Sequence, residues 1–195
     1  MKKLSIIMPV WNQEELVIRA LRSVPRRNDI ETIVIDDAST DNTVKVIEKN
    51  FPDVILLKNS ERIRAAASIN RGLDIATGEY YMQLDSDDSI LTGRLEDILT
   101  MNRPEDLIFF VNIVNNGDLW DPYINKTLCD HACLYKRSLI GNTRYGTGLW
   151  GQGWQFHHDI LAKPHTEYYY REVMYLYNYP REGSNLNLAQ RGLLK

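Results

Sequence analysis

The chain has 195 residues, of which 44% are hydrophobic and 25% are charged, values that exclude a disordered or fibrous protein. A formal net charge of -3 provides no overall positive field for a polyanion, so an anionic ligand needs a local site. At about 150 residues per domain, this length predicts a single domain, 1–195, with a core that needs no disulfide.

Apolar strands and amphipathic helices are predicted to alternate through the first 90 residues. The predicted order is strand 4–10, helix 14–23, strand 30–36, helix 40–49, strand 54–57, helix 63–76 and strand 80–84. Such alternation is typical of right-handed crossovers, and it predicts a Rossmann-like α/β fold with a mainly parallel central sheet flanked by helices.

The second half is less regular in its pattern. Its predicted elements are a helix at 94–101, strands at 107–111 and 129–135, a short helix from Lys136, a Gly/Trp-rich loop at 146–153, a helix at 154–163 and a strand at 168–179. The tryptophan and tyrosine rings there offer flat surfaces suited to a sugar ring or another planar group, although a small domain can equally use them for packing.

The segment Asp85-Ser86-Asp87-Asp88 places three carboxylates at the end of an apolar strand. Parallel sheets bind ligands at this edge, and oxygen ligands without His or Cys favour hard ions such as Mg²⁺ or Mn²⁺. The alternative is a helix start capped by Asp88 or Ser89. The position at a strand end favours the metal site.

Asp36 and Asp37 end another predicted strand, and one of them should face the ligand crevice as a hydrogen-bond acceptor. Trp11 follows the first strand and offers a flat surface for a base, with a core position as the alternative. Arg64 begins the third helix, where its guanidinium and the helix N-terminus can meet an anion. There is no glycine-rich phosphate loop, so a diphosphate would depend on the metal and Arg64.

Together these residues resemble the family 2 nucleotide-sugar glycosyltransferases of the GT-A fold, closely over residues 1–100 and loosely beyond them. The matching segments are Pro9-Val10-Trp11-Asn12-Gln13-Glu14 for Pro-x-Tyr-Asn-x-Glu, Asp36-Asp37-Ala38-Ser39-Thr40-Asp41 for Asp-Asp-Gly-Ser-x-Asp, and Asp85-Ser86-Asp87 for the DxD motif. Arg64 lies six residues before Asn70, as in the SpsA-like subgroup.

The resemblance implies a site in residues 1–100 for a nucleoside-diphosphate sugar, with the acceptor bound by residues 101–195. It implies that Trp11 stacks on the nucleobase, Asp37 accepts from its ring nitrogen and Asp36 supports the loop. Arg64 would contact the nucleotide, Asp85 the ribose or a metal-bound water, and Asp87 the metal. The resemblance also assigns Pro9, Glu14 and Ser86 to this nucleotide-binding region.

The resemblance further implies inversion by a carboxylate base from a Gly-Glu-Asp segment, but this chain has Gly151-Gln152-Gly153 there. Neither Gln152 nor Gly153 can take a proton from an acceptor hydroxyl. His157, one helical turn after Gly153, and Asp159 are the substitute candidates. Asp118, Asp121 and Asp130 are further alternatives.

These observations predict a metal-dependent glycosyltransferase that uses a nucleoside-diphosphate sugar, with a UDP-sugar as the expected donor. The acceptor could be a saccharide, a lipid-linked molecule, a protein or a nucleic acid. A degenerate nucleotide-binding module is the alternative. A sugar nucleotidyltransferase is not expected, because that class needs a glycine-rich phosphate loop after its first strand and this chain has none there. Without a membrane span or export signal in the sequence, a cytoplasmic protein is expected.

Overall fold

The computed structural model describes residues 1–125, 131–148 and 151–178. Over these ranges the strands are β1 (Leu4–Val10), β2 (Ile30–Asp36), β3 (Ile55–Lys58), β4 (Tyr80–Gln83), β5 (Ser89–Ile90), β6 (Leu107–Val114), β7 (Leu119–Trp120), β8 (Cys133–Lys136) and β9 (Glu167–Tyr177). The helices in the same ranges are α1 (Leu16–Ser23), α2 (Thr43–Asn50), α3 (Arg64–Ile75), α4 (Thr92–Met101), α5 (Pro122–Asn125), α6 (Arg137–Ile140) and α7 (Gln152–Leu161).

All of the described strands belong to one mixed sheet in the order β3-β2-β1-β4-β8-β6-β9-β5, with β7 paired to β6. The first four strands in this order are parallel. The pairs β4–β8, β8–β6, β6–β7 and β9–β5 are antiparallel, whereas β6–β9 is parallel. The α/β prediction is therefore confirmed, and the parallel arrangement that accompanied it describes the first half of the sheet.

Helices cover both faces of the sheet because the side chains of each strand alternate between them. Met8 packs in one core with Val17 of α1. Its neighbour Ile7 packs in the opposite core with Leu73 of α3 and Phe156 of α7.

The two longest predicted strands of the first half, 4–10 and 30–36, have the observed bounds, but the helices after them begin later than predicted. The sequence pattern predicts starts at Glu14 and Thr40, whereas α1 begins at Leu16 and α2 at Thr43. Among the intervening polar residues, Glu14 N donates to Asp41 Oδ2 and Asn42 N donates to Glu14 Oε2, so these residues join the two loops. The short elements β5, β7 and α5 were not predicted, because two to four residues carry no readable period.

Some predictions reach beyond the described residues. Cys129, at the start of the predicted strand 129–135, and Asp130 lie outside them. So do residues 149–150 of the predicted loop 146–153 and the end of the predicted strand 168–179. Among the described helices, none is both long and apolar enough to cross a membrane.

The edge of the sheet formed by the starts of β1 and β2 is held by a buried acid, Glu31. Its carboxylate accepts hydrogen bonds from Ser5 Oγ at 2.5 Å, Thr77 N at 2.6 Å, Thr77 Oγ1 at 2.9 Å and Gly78 N at 3.1 Å. Burial raises the pKa of Glu31, but the hydrogen bonds together lower it by more. The pKa of Glu31 in the folded protein therefore lies below its ordinary value.

We expect Glu31→Gln to lower the free energy of unfolding at pH 7 by about 1 to 3 kcal/mol, because an amide oxygen cannot satisfy all of these donors. A lowered pKa stabilises the fold above the unfolded-chain pKa, and this contribution is lost as the pH falls through the folded-state pKa. Urea unfolding from pH 7 to pH 3 should therefore show the variant and the wild type converging at low pH. A constant difference over that range would contradict this role for Glu31.

Candidate active site

The carboxyl ends of three parallel strands lie side by side at one edge of the sheet. β1 is the central strand of the three, with β2 on one side and β4 on the other. The loops that follow them begin at Trp11, Asp37 and Leu84. Most of the site residues predicted from the sequence are thereby brought to this edge, where parallel sheets bind ligands.

Side chains join the first two of these loops in both directions. Ser39 Oγ accepts from Asn12 N at 2.9 Å, and Asn12 Oδ1 accepts from Thr40 N at 2.8 Å. Glu14 Oε2 accepts from Asn42 N, also at 2.8 Å. Glu14, predicted as part of the nucleotide-binding region, thus connects the first loop to the start of α2, and the two loops form one wall of the site.

Trp11 stands on the surface of this wall. Its side chain is 39% exposed, so the core alternative for Trp11 does not hold. The guanidinium carbon of Arg62 lies 3.5 Å from the centroid of the ring, in a cation–π contact that the sequence did not reveal. Pro9, two residues earlier, is buried within β1 and shapes the strand that carries Trp11.

Asp37 is buried and bonds to the beginning of α3. Its Oδ1 accepts from Asn59 Nδ2 at 2.8 Å, Ile63 N at 2.8 Å and Ser68 Oγ at 3.3 Å. Its Oδ2 accepts from Arg64 N at 2.8 Å. A carboxylate oxygen offers about two lone pairs, so any acceptor capacity left to Asp37 lies on Oδ2.

Asp36 is also buried, and it holds the loop that runs from Asp37 to the start of α2. Its Oδ2 accepts from Ser39 N at 3.1 Å. Within the part of the chain that the structure describes, Oδ1 of Asp36 has no hydrogen-bond partner. Leaving a buried acceptor without a hydrogen-bond donor costs free energy, so a ligand that donates a hydrogen bond to this oxygen would be favoured.

The backbone around this wall adopts left-handed conformations at three residues other than glycine. Asn12, Ala38 and Arg64 have φ values of 49°, 61° and 72°. Ala38 stands where the related motif has glycine, and a side chain in this conformation costs roughly 1 to 2 kcal/mol. Backbone strain of this kind clusters at functional sites.

Arg64 is the first residue of α3, and its side chain is exposed. Its backbone N–H bonds to Asp37, which holds the residue at the same edge of the sheet. An exposed guanidinium can bind a phosphate in a bidentate manner.

A cluster of carboxylates lies on the other side of β1. Asp85, Asp87 and Asp88 place one carboxylate oxygen each within 4.8 Å of one another. Ser86, between them, is buried, and Arg19 of α1 donates a hydrogen bond to the backbone oxygen of Asp87. Three carboxylates this close repel one another unless a cation or a proton relieves the charge. The donor set therefore fits a hard divalent ion.

Asp88 supports this cluster from the buried side. Tyr175 Oη donates to its Oδ2 at 2.6 Å and Asn178 N donates to its Oδ1 at 2.8 Å. Burial, and after it the nearby Asp85 carboxylate, raises the pKa of Asp88 to about 7. Because Asp88 is buried whereas Asp85 and Asp87 are partly exposed, Asp85 and Asp87 are the better placed ligands.

Gln83 and His131, which were not predicted as site residues, contact Asp85, and Tyr145 contacts Gln83. Gln83 Nε2 donates to Asp85 Oδ1 at 2.8 Å, and His131 Nε2 lies 3.3 Å from Asp85 Oδ2. Tyr145 Oη donates to Gln83 Oε1 at 3.0 Å. In the sequence, the only sign of a role for Gln83 was its position as a polar residue at the end of an otherwise apolar strand.

The structure corrects the prediction of a base at His157. This side chain is fully buried in the core, where its Nδ1 lies 2.7 Å from Tyr135 Oη and its ring packs edge-on against Phe109. A histidine with no exposed surface cannot reach an acceptor hydroxyl, so His157 serves packing. Asp159, the second candidate, is exposed and accepts from Gln155 Nε2 at 2.8 Å on the surface of α7.

The start of α7 lacks an acid, as the sequence indicates. Gln152 is the first residue of the helix, and its side-chain amide donates to the backbone oxygen of Gly148. Gly153 follows it. Neither residue can act as a general base, so the position at which the resemblance implies a base carries no proton acceptor.

Comparison with known proteins agrees with this geometry. The profile of Glycosyl transferase family 2 matches residues 5–162. The UDP-Glc:alpha-D-GlcNAc-diphosphoundecaprenol beta-1,3-glucosyltransferase WfgD of Escherichia coli is 32% identical over 143 residues, which cover 70% of this chain and 56% of that protein. The chain spans about half the length of the curated relatives it matches.

Solved structures share the fold. S. aureus TarS 1-349 in complex with UDP-GlcNAc has a TM-score of 0.81 at 20% identity, over 93% of this chain and 60% of that one. The mannosyltransferase PcManGT from Pyrobaculum calidifontis, in complex with GDP-Man and Mn²⁺, has a TM-score of 0.73 at 18% identity, over 97% of this chain and 60% of that one. At these identities the likeness shows the GT-A fold alone.

Proposed function

Because this chain belongs to Glycosyl transferase family 2, we propose that it transfers a sugar from a UDP-sugar to an acceptor hydroxyl in a metal-dependent reaction. The observation that carries this proposal is the carboxylate cluster beside the wall that bears Trp11. The UDP-GlcNAc bound to TarS and the UDP-Glc used by WfgD support the choice of a UDP-sugar, and the GDP-Man bound to PcManGT supports a nucleotide sugar in general.

Asp85 and Asp87 would hold the ion, and Asp88 would position them. The fit rests on three oxygen donors close together, of the type that Mg²⁺ and Mn²⁺ prefer. When bound, the ion supplies positive charge that neutralises the two phosphates of the donor and the departing diphosphate. The exposed guanidinium of Arg64 would add a second positive charge at the same edge.

Trp11 would bind the base by stacking, and the adjacent Arg62 would keep the ring in place. Asp37 would accept from the base through Oδ2, while Asp36 would hold the loop. Pro9, Glu14 and Ser86 would contribute by shaping the loops of this site.

We expect Trp11→Ala to weaken UDP binding by about 1 to 3 kcal/mol, since an aromatic ring contributes that much when a base stacks on it. Trp11→Phe should restore most of the affinity. Isothermal titration of UDP in the presence of Mn²⁺ measures the effect, and Trp154→Ala is the control, because Trp154 is also exposed but belongs to α7. Unchanged UDP affinity in a folded Trp11→Ala variant would remove Trp11 from the site.

An acceptor hydroxyl must lose its proton as the new bond forms, and α7 provides no acid at its start. Asp159 is the exposed acid of α7 and is the base we propose among its residues. A pH–rate profile of Asp159→Asn, in a variant shown to bind UDP normally, tests it. Wild-type turnover and an unchanged profile would assign the proton to another group.

The acceptor we propose is a lipid-linked saccharide, on the strength of the diphosphoundecaprenol acceptors named for two relatives. Inversion is proposed from the family alone, and the anomeric configuration of the product, read by NMR, tests it. The decisive experiment is the release of UDP from UDP-Glc and UDP-GlcNAc with Mn²⁺, with and without a prenyl-diphosphate-linked sugar.

The second candidate function is a nucleotide-sugar-binding module with little transfer activity. The observation that favours it is the pair Gln152 and Gly153 at the start of α7. Such a module would be stabilised by UDP-sugar and Mn²⁺ in a thermal shift experiment without releasing UDP. Acceptor-dependent release of UDP would exclude it.

A further inference from the structure

The side-chain amide of Gln83 has partners at both of its ends. Its nitrogen donates to Asp85 Oδ1 at 2.8 Å and lies 3.0 Å from His131 Nε2. Its oxygen accepts from Tyr145 Oη at 3.0 Å. Gln83 is the last residue of β4, so this amide stands between the apolar sheet and the carboxylate cluster.

Tyr145 is in turn held by two helices on the same face of the sheet. Its backbone N–H donates to Asn70 Oδ1 at 2.8 Å, and Asn70 Nδ2 donates back to its carbonyl at 2.9 Å. Its ring stacks on Phe156 of α7, with 4.2 Å between the centroids and 9° between the planes. The hydroxyl that faces Gln83 therefore has a fixed position.

The pattern of donors sets the orientation of the Gln83 amide. Tyr145 has one hydroxyl proton, which it donates to Gln83 Oε1. The hydroxyl of Tyr81, 2.8 Å from that of Tyr145, must then be the donor in their contact. With its oxygen held by Tyr145, the amide turns its nitrogen towards Asp85. In the flipped orientation the amide N–H would face the donating hydroxyl of Tyr145 and the amide oxygen would face the carboxylate of Asp85. Neither contact would then be a hydrogen bond.

We propose that Gln83, oriented by Tyr145, is a positioning residue that holds the Asp85 carboxylate ready for a divalent cation. The inference rests on the proposed function, because it requires that Asp85 binds the ion. A carboxylate whose rotation is already restricted loses less freedom when the ion binds, and partners of this kind tune metal affinity. The contact between Tyr145 and Phe156 also links the position of Asp85 to α7.

The experiment is titration of Mn²⁺ into the full chain with UDP present, followed by electron paramagnetic resonance of free Mn²⁺. Gln83→Leu removes the donor at similar size, and we expect its Kd for Mn²⁺ to rise by about 10-fold to 100-fold. Tyr145→Phe removes only the hydroxyl and keeps the ring on Phe156, so a smaller rise is expected. This second variant carries the test if Gln83→Leu fails to fold.

The matched control is Tyr80→Phe on the same strand. The hydroxyl of Tyr80 donates to the backbone oxygens of Arg103 and Glu105, at 2.9 and 2.6 Å, and has no link to Asp85. This variant should lower the melting temperature and leave the Kd for Mn²⁺ unchanged. A merely structural role for Gln83 would make Gln83→Leu behave in the same way.

The outcomes separate the two proposals. If the wild type binds Mn²⁺ with UDP and both test variants bind it equally well, the inference fails while the proposed function stands. If Tyr80→Phe weakens Mn²⁺ binding as much as the test variants do, the effect is one of stability and the inference also fails. If the wild type binds no Mn²⁺, both proposals fall together.

Discussion

Asp87→Ala is expected to abolish Mn²⁺-dependent binding of UDP and, with it, sugar transfer. The loss should be several kcal/mol, or more than about 100-fold in affinity, since a proposed metal ligand is removed altogether. The fold should survive, because Asp87 is one of three mutually repelling carboxylates and its loss relieves part of that repulsion. Calorimetry of UDP binding with Mn²⁺, and with EDTA in its place, measures the effect.

Asp53→Ala is the control for this variant. Asp53 is an exposed acid after α2, outside the carboxylate cluster. Its replacement changes the net charge by the same amount without touching the proposed metal site, and it should leave UDP affinity unchanged. Wild-type UDP affinity in Mn²⁺ for Asp87→Ala would remove this residue from the site and leave Asp85 to be tested alone.

The largest loss of stability is expected from Gly78→Ala. A methyl group on Gly78 would lie 2.5 Å from Ser5 N and 2.7 Å from the carbonyl carbon of Leu4. Both are backbone atoms of β1, the strand between β2 and β4, so the neighbour cannot move aside as a side chain would. Forcing an extra methyl group into a packed site costs about 1 to 3 kcal/mol, and contact with backbone places this variant at or above the top of that range.

Gly93→Ala is the matched control. A methyl group at Gly93 of α4 has no neighbour within 4 Å, and alanine favours a helix by about 0.5 to 1 kcal/mol over glycine. Urea unfolding should show Gly78→Ala strongly destabilised and Gly93→Ala equal to or more stable than the wild type. Equal stability of the two variants would mean that the start of β4 does not approach β1 so closely.

The sequence predicts the first half of the fold well because that half depends on local patterns. Mostly apolar segments of seven residues gave the bounds of β1 and β2, and the parallel direction of the first strands followed from the alternation of strands and helices. In the second half the pairing β6–β8 and β6–β9 joins segments far apart along the chain. Such pairing leaves no local signal in the sequence, so the antiparallel pairing of β6 with β8 could not be predicted.

The candidate site divides in the same way. The carboxylates of Asp85 and Asp87 and the ring of Trp11 follow strand ends, which the sequence reveals. Gln83 contacts residues 48 and 62 positions away, His131 and Tyr145, and only the folded sheet brings these together. His157 shows the converse error, because the period of a helix relates residues to one another without telling which face is buried. Phe156 and Ile160, buried beside it, mark that face.

The bonds between the loop at Asn12 and the loop at Thr40 have a consequence for exchange of amide protons with solvent. Each loop protects amides of the other, so neither set of protons is released until both loops open. The amides of Asn12, Thr40 and Asn42 should therefore exchange at a common rate, as one cooperative opening unit. A substitution that opens either loop should then also speed the exchange of the amides in the other loop.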